Sequence, residues 1–222
     1  QPNPIETYHD QIISGEVVVS AKVRTIYDRI IGDISDPNGR WIYNHKRAMR
    51  PIRFIETFCR HSKGSHAGKQ FILEVWQKAL IATLFGIIDR ETGLRRYNEL
   101  FLAVSRKNGK STLAAGILLY MMFEEPGAGC FTVATKRDQA ALIFDEACAM
   151  TQQSPTLSAR LRKRRTDLYD PKTRSILKPL GSRSSTMDGL NASCISADEV
   201  HAWAGSKGRE LYEVCRQSMS AR

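Results

Sequence analysis

The chain has 222 residues, 42% of them hydrophobic, so its length allows one sizeable core with an appended segment. A formal net charge of +10 favours a polyanionic partner, nucleic acid above all, although a generally basic protein would show the same excess. The five cysteines are scattered without a CxxC pair and no apolar run reaches membrane-span length, which argues against a disulfide framework, a zinc site and a membrane protein.

The N-terminal part is predicted to be helical with polar interruptions. Residues 1–15 contain two prolines and a glycine and indicate a loosely held entry segment. Apolar residues recur at helical spacing over residues 17–31 and again over residues 43–60, where Pro51 is expected to interrupt the helix. A polar, glycine-containing loop is expected at residues 61–69.

The rest of the chain alternates helices with short apolar strands. Helices are predicted over residues 71–88, 110–123 and 138–151, and strands over residues 97–104, 130–134, 175–180 and 192–197. Turns are expected at residues 89–93 and 105–109. Short buried strands between helices predict an α/β fold with a mostly parallel sheet.

A phosphate-binding turn is indicated between the strand at residues 97–104 and the helix that follows. Gly109-Lys110-Ser111 forms the closing half of the P-loop motif, although Val104 stands where the motif has its first glycine. Gly109 would let the backbone approach phosphates, Lys110 would lie between the β- and γ-phosphates of ATP, and the Ser111 hydroxyl would ligate Mg²⁺. The alternative is an ordinary helix start, but a lysine is electrostatically unfavourable there unless an anion is near.

A pair of carboxylates, Asp198 and Glu199, follows the apolar strand at residues 192–197. In P-loop ATPases an aspartate at this place holds Mg²⁺ through water, and a neighbouring glutamate acts as general base for the attacking water. The alternative is a solvated strand end. The spacing of 88 residues from Lys110 to Asp198 leaves room for the intervening strands and helices, so the two motifs support each other.

With both motifs placed, residues 17–216 resemble the large terminase subunits of tailed bacteriophages, whose motor domain reads RKNGKS and then DEvHA. The resemblance also rests on residues 64–77, 84–86, 133–140, 189–191 and 201–202. It implies a P-loop NTPase fold of the RecA/ASCE type, with a mostly parallel sheet flanked by helices and an N-terminal helical segment. The implied boundaries are residues 1–65 for the helical segment and 66–222 for the ATPase domain.

The resemblance implies further roles at the site. Gln77 matches the glutamine that reads adenine, a task that suits an amide, although an exposed polar helix residue is the alternative. Arg106 matches an arginine proposed as a cis-acting finger on the γ-phosphate, where Lys107 is less suited. The residues implied to contact ATP are Ser105, Arg106, Lys107, Asn108, Gly109, Lys110, Ser111, Thr112 and Gln77.

The resemblance also implies the biology. Members hydrolyse ATP with Mg²⁺ to move double-stranded DNA into a procapsid, working as a homo-oligomeric ring with the portal protein and the small terminase subunit in the host cytoplasm. Family members continue into a coupling motif on a further strand and then into a nuclease domain. Neither is found in this sequence, which runs to Arg222. We interpret the chain as a piece of a longer protein, for which nuclease activity is not expected and unaided ATP turnover is in question.

The residues that would contact DNA are the part of the site that the sequence defines least well. The densest basic stretch contains Arg160, Arg162, Lys163, Arg164, Arg165, Lys172, Arg174, Lys178 and Arg183. Such residues neutralise phosphates without sequence preference, but a solvated basic face is the alternative. A second candidate is the helical region with His45, Lys46, Arg47, Arg50 and Arg53, which would face DNA or a neighbouring subunit.

Two other functions fit parts of the sequence. Asp198-Glu-Val-His201 reads as the DExH box of a helicase, but such helicases need a second RecA-like domain and a downstream SAT-like motif. A non-catalytic nucleic-acid-binding module with a degenerate nucleotide site would bind DNA without ATP dependence. Neither alternative accounts for the segment around Trp76 and Gln77.

Overall fold

The computed structural model describes residues 2–105, 108–181 and 191–219 of the chain. These residues form two compact units, an N-terminal unit of Gln1–Thr57 with Ile72–Ala103 and a C-terminal unit of Phe58–Phe71 with Val104–Arg222. Residues 72–103 are thus grouped with the N-terminal helices, on the other side of the boundary expected from the sequence at residue 65. The boundary at residue 65 between a helical segment and an ATPase domain stays a prediction.

Most of the N-terminal segment forms a packed helix, so the expectation of a loosely held entry segment is wrong. Helix α1 (Pro4–Ser14) begins at Asn3, whose side chain accepts a hydrogen bond from the backbone N–H of Ile5 at 3.0 Å. Proline is favourable at the first helical position because an N–H group there would have no partner within the helix. Ile5, Tyr8 and Ile12 lie on one face and are buried, so burial of this face outweighs the polar composition.

The other elements of the N-terminal unit follow the predicted pattern with shifted boundaries. Helix α2 (Ala21–Ser35) starts later than predicted, and helix α3 (His45–Phe58) continues through Pro51, where an interruption was expected. Ala48, Ile52 and Ile55 bury one face of α3 and offset the hydrogen bond that the proline removes. Helix α4 (Val75–Gly86) is shorter than predicted because the chain then enters strand β2 (Ile87–Asp89), which pairs antiparallel with β1 (Trp41–Tyr43).

The C-terminal unit contains a five-stranded sheet with a parallel core. Strand β3 (Gly129–Ala134) lies between β6 (Ile176–Gly181) and β7 (Cys194–Ala197) and is parallel to both. Strands β4 (Arg162–Lys163) and β5 (Leu168–Tyr169) extend the sheet antiparallel beside β6. Every residue of β3 is buried, as expected for a central parallel strand covered on both faces. The α/β fold class is confirmed, with a mixed sheet whose centre is parallel.

The predicted strand at residues 97–104 is wrong for the structure. No strand is assigned there, and Phe101 is 81% exposed. An apolar run becomes a strand only where a neighbouring strand offers backbone partners, and sequence periodicity does not report that neighbour. No strand therefore leads directly into the predicted phosphate-binding turn among the described residues.

Helices cover the sheet of the C-terminal unit. Helices α5 (Lys110–Glu124) and α6 (Arg137–Gln153) agree with the prediction, and the short α7 (Pro155–Arg160) follows them. Helix α8 (Gly205–Met219), which was not predicted, buries Leu211 and Cys215 in a cluster with residues of β3 and β6. Within the described ranges, no helix is both long and apolar enough to cross a membrane.

Candidate active site

The residue before α5 has the backbone conformation expected at the end of the predicted phosphate-binding turn. Gly109 adopts the left-handed conformation, with φ of 71°, immediately before the first residue of α5. Glycine adopts this conformation at no steric cost, and the first N–H groups of an α-helix have no partner within the helix. Just upstream, the Asn108 side chain donates a hydrogen bond to the Ser105 hydroxyl at 2.6 Å. Arg106 and Lys107, both predicted to contact ATP, lie outside the described residues.

Helix α5 packs against the sheet of the C-terminal unit. Its apolar residues Leu113, Leu118, Leu119 and Met122 are at most 1% exposed, so the axis of the helix is fixed by packing. Lys110 and Ser111 are only partly buried at its first turn. The N-terminal end of α5 therefore presents the two side chains predicted to face phosphate and Mg²⁺ from a rigid support.

The acidic pair lies at the carboxyl end of β7. The backbone N–H of Asp198 donates to the Val133 carbonyl oxygen at 3.1 Å, which extends the β3–β7 ladder to the aspartate. The Trp203 indole N–H donates to the Asp198 carbonyl oxygen at 3.1 Å and fixes the chain after the strand. Asp198 is 6% exposed, whereas the Glu199 side chain is 40% exposed. The first carboxylate is thus buried beside the sheet and the second faces outward.

The structure brings the two predicted motifs together. Lys110 Nζ lies 3.1 Å from Asp198 Oδ1 and 3.0 Å from Glu199 Oε1. Burial alone would lower the pKa of Lys110, but its hydrogen bonds to Glu199 and Asp198 outweigh burial, so the pKa is raised. The lysine remains protonated, and its positive charge reduces the repulsion between the two carboxylates.

Two features of Glu199 were not predicted. Its backbone is left-handed, with φ of 51° and ψ of 42°, a conformation that costs a non-glycine residue about 1–2 kcal/mol. Its second carboxylate oxygen lies 3.3 Å from Nδ1 of His201, a residue that sequence analysis had noted only as part of the family pattern. Strained residues cluster at functional sites, and a φ value leaves no signal in a single sequence.

Glu146 is a further site residue that sequence analysis missed. It lies on α6, is 9% exposed, and accepts hydrogen bonds from Thr112 Oγ1 at 3.2 Å and Ser62 Oγ at 2.8 Å. The Thr112 hydroxyl, predicted to contact ATP, is therefore directed to this carboxylate. An isolated glutamate on an otherwise apolar helix face was the signal in the sequence, but its partners lie 34 and 84 residues away.

Gln77 has a local structural role in the N-terminal unit. It is 4% exposed, not on an open helix face, and its side-chain oxygen accepts a hydrogen bond from the Glu74 backbone N–H at 3.0 Å. This contact caps the first turn of α4. Recognition of adenine by Gln77 stays a prediction.

Part of the basic stretch is used inside the protein. Arg160 makes a bidentate pair with Asp170, which is fully buried, and Arg164 pairs with Asp167 at 2.6 Å. Arg162 donates to backbone carbonyl oxygens near the end of α7. These arginines stabilise the fold around β4 and β5, which weakens the case for them as phosphate contacts. Of the other predicted basic residues, Arg183 lies outside the described part of the chain.

The residues at the site have the donor chemistry that Mg²⁺ with ATP requires. A buried carboxylate, Asp198, and a hydroxyl, Ser111, are the hard oxygen ligands that Mg²⁺ prefers. The described residues contain no cluster of three or more His, Cys, Asp or Glu side chains suited to a metal. Two protein ligands beside substrate phosphates are the usual arrangement for Mg²⁺ in nucleotide sites.

Comparisons with known proteins found a matching family, a similar sequence and a similar structure. The sequence matches the family described as "Terminase large subunit, ATPase domain" over residues 75–222, more than half of the chain. It is 35% identical over 114 residues to the large terminase subunit of Enterobacteria phage HK97, which covers 50% of this chain and 21% of that protein. The crystal structure of the HK97 bacteriophage large terminase is similar with a TM-score of 0.65 and 25% identity, covering 79% of this chain and 36% of that chain.

Proposed function

Because the chain belongs to the family of terminase large-subunit ATPase domains, we propose that it binds and hydrolyses ATP with Mg²⁺ to drive double-stranded DNA into a procapsid. The relatives named above are much longer than this chain, which covers 21% of one and 36% of the other. The function of the whole packaging machine is therefore part of the proposal.

One observation carries the proposal: Lys110 reaches both carboxylates of the acidic pair, although Asp198 lies 88 positions later in the chain. A solvated strand end or an ordinary helix start would give no reason for this convergence. A lysine at a helix N-terminus, a hydroxyl beside it and a buried aspartate at the end of the adjoining strand are the groups that phosphoryl transfer uses.

The residues of the turn would hold the triphosphate. In this proposal the backbone of residues 105–109, including Asn108, cradles the phosphates, and Lys110 transfers its hydrogen bonds from the carboxylates to the β- and γ-phosphates. Ser111 and Asp198 would hold Mg²⁺, Asp198 through water. The ion supplies positive charge that offsets the charge developing on the phosphoryl group.

Glu199 and Arg106 would act on the reacting atoms. Glu199 is exposed enough to meet a water molecule, and its contacts with Lys110 and His201 support it from two sides. As general base it would orient the attacking water. Arg106 would stabilise the transition state as a cis-acting finger, and Thr112, Lys107, Ser105 and Gln77 would complete the contacts with ATP.

The proposed partners follow from the family. They are double-stranded DNA, the portal protein, the small terminase subunit and further copies of this chain in a ring, acting in the host cytoplasm. The division into a helical segment at residues 1–65 and an ATPase domain at residues 66–222 is part of the same proposal.

The test compares the parent chain with Glu199→Ala, using Lys22→Ala as an exposed-residue control. ATP hydrolysis with and without duplex DNA is measured beside binding of a fluorescent ATP analogue. We expect hydrolysis to be lost in Glu199→Ala and binding to persist. If the parent chain fails to bind the analogue, the proposed function is rejected. Binding without turnover in the parent rejects the narrower statement that this chain hydrolyses ATP unaided.

A further inference from the structure

Residues 58–71, hereafter the basic hairpin, form a compact structure in the C-terminal unit. The chain reverses between an antiparallel bridge that joins Arg60 to Gln70 and a 3-10 turn at Gly64–His66. Backbone hydrogen bonds connect His61 N to Lys69 O at 3.0 Å and Gly68 N to His61 O at 2.9 Å. The hairpin is therefore an ordered element and not an open loop.

The tip of the basic hairpin presents positive charge to solvent. Residues 63–70 are all exposed, and residues 58–71 contain no aspartate or glutamate. The ring of His61 packs against the rings of His66 and Phe71, with centroids 5.7 and 5.2 Å apart. The pKa of His61 is lowered, mainly by burial and to a smaller extent by the nearby His66. Arg60, Lys63 and Lys69 are the arginine and lysine residues of the hairpin and supply its positive charge.

The basic hairpin is connected to the nucleotide turn through one carboxylate. Ser62, at the base of the exposed tip, donates to Glu146 Oε2 at 2.8 Å, and Thr112 donates to Glu146 Oε1 at 3.2 Å. Thr112 directly follows Ser111, so only one residue separates the contact from Lys110. A hydrogen-bonded carboxylate that is 9% exposed is held in place more firmly than a surface contact.

We infer that the basic hairpin binds the phosphates of double-stranded DNA and that the Ser62–Glu146–Thr112 contacts couple this binding to nucleotide binding at the start of α5. The inference rests on the proposed function for its ligand. The hairpin is favoured over the basic stretch near β4, because Arg160 and Arg164 of that stretch form ion pairs with Asp170 and Asp167, whereas the hairpin itself contains no acidic residue. Lysines contribute affinity for phosphate without reading base sequence.

The first test measures DNA binding by fluorescence anisotropy with a short labelled duplex of mixed sequence. Lys63→Ala/Lys69→Ala is compared with Lys172→Ala/Lys178→Ala, which removes the same charge from the rival stretch. The hairpin double variant is expected to bind roughly fivefold more weakly per lysine near 0.15 M salt, with the slope of log K against log salt reduced by about two. Its affinity for an ATP analogue should be unchanged, which separates DNA phosphates from nucleotide phosphates as the ligand.

The second test measures coupling, because two ligands that bind one protein cooperatively must raise each other's affinity by the same factor. In the parent chain, duplex DNA is expected to increase the affinity for the ATP analogue by about five- to fiftyfold, within the usual range of coupling between sites. Ser62→Ala should reduce that factor several-fold and leave the affinity for each ligand alone nearly unchanged. Ser62→Thr keeps the hydroxyl and should restore the factor.

Several results would overturn the inference. Equal DNA affinity of the parent and the hairpin double variant, or a loss confined to the Lys172 and Lys178 variant, rejects the hairpin as the DNA contact. Unchanged coupling in Ser62→Ala, or no coupling in the parent chain, rejects the connection through Glu146. Failure of the proposed function gives a different pattern, in which the ATP analogue does not bind although the anisotropy assay still reports on the hairpin.

Discussion

Lys110 donates a hydrogen bond from Nζ to Glu199 Oε1 at 3.0 Å, and the same ammonium group lies 3.1 Å from Asp198. The side chain of Lys110 is 34% exposed, whereas Asp198 is 6% exposed. A buried carboxylate without a cation is costly, so this lysine has a role in stability in addition to its proposed role in phosphate binding.

We expect Lys110→Ala to lower the free energy of unfolding by about 1–2 kcal/mol, a value below that for a fully buried pair because the lysine is partly exposed. Urea unfolding of the parent and the variant measures this loss. Lys110→Ala/Asp198→Asn should recover part of it, since the charge left behind is removed. A double variant less stable than Lys110→Ala would contradict the electrostatic explanation.

The left-handed backbone of Glu199 predicts an unusual order of stability among its variants. Glu199→Ala and Glu199→Gly both remove the carboxylate, but only glycine adopts a φ of 51° without strain. We expect Glu199→Gly to be more stable than Glu199→Ala by about 1 kcal/mol, measured by thermal or urea unfolding. If the alanine variant is equally stable, the residue is not held in the left-handed region in solution.

The elements that sequence predicted well are those with a local signal. The strand at residues 129–134 and the helix at residues 110–124 are apolar runs bounded by turn residues, and their assignment needs no knowledge of distant contacts. Proximity of Lys110 to the acidic pair was predictable because each motif carries its own chemistry. The family resemblance then indicated that the two motifs belong to one site.

The features that sequence did not predict depend on distant partners or on backbone angles. Glu146 becomes a site residue only because Ser62 and Thr112 meet it in space. Phe101 belongs to an apolar run that finds no strand partner in the described structure and remains exposed. Arg160 belongs to the basic stretch, but it forms an ion pair with Asp170. The reversal of the chain around β4 and β5 brings the two residues together. None of these contacts follows from a periodic pattern in the sequence.

The packed helix α1 gives a prediction with a control on the same element. Ile5 is fully buried in the N-terminal unit, whereas Ile13 is 50% exposed. We expect Ile5→Ala to lower the unfolding free energy by about 2–4 kcal/mol, because it removes buried methyl groups and leaves a cavity. Ile13→Ala should change it by no more than about 0.5 kcal/mol. Urea unfolding of both variants checks this, and equal small losses would mean that α1 does not pack in solution.

The Arg160–Asp170 pair predicts a pH-dependent contribution to stability. Burial alone would raise the pKa of Asp170, but hydrogen bonds from Arg160, Lys172 N and Thr173 outweigh burial and hold the pKa below its usual value of 3.8. A carboxyl whose pKa is lower in the folded state stabilises the protein above its unfolded pKa. That stabilisation is lost as the pH falls through the folded pKa.

At neutral pH we expect Asp170→Asn to reduce the unfolding free energy by about 2 kcal/mol, because it removes the charge that compensates Arg160. The difference between parent and variant should shrink as the pH falls below 3.8, where the parent carboxyl becomes protonated as well. Urea unfolding at a series of pH values measures this difference, with Asp10→Asn as an exposed carboxylate control. A difference that stays constant across the acidic range would show that packing, and not the charge of Asp170, accounts for the loss.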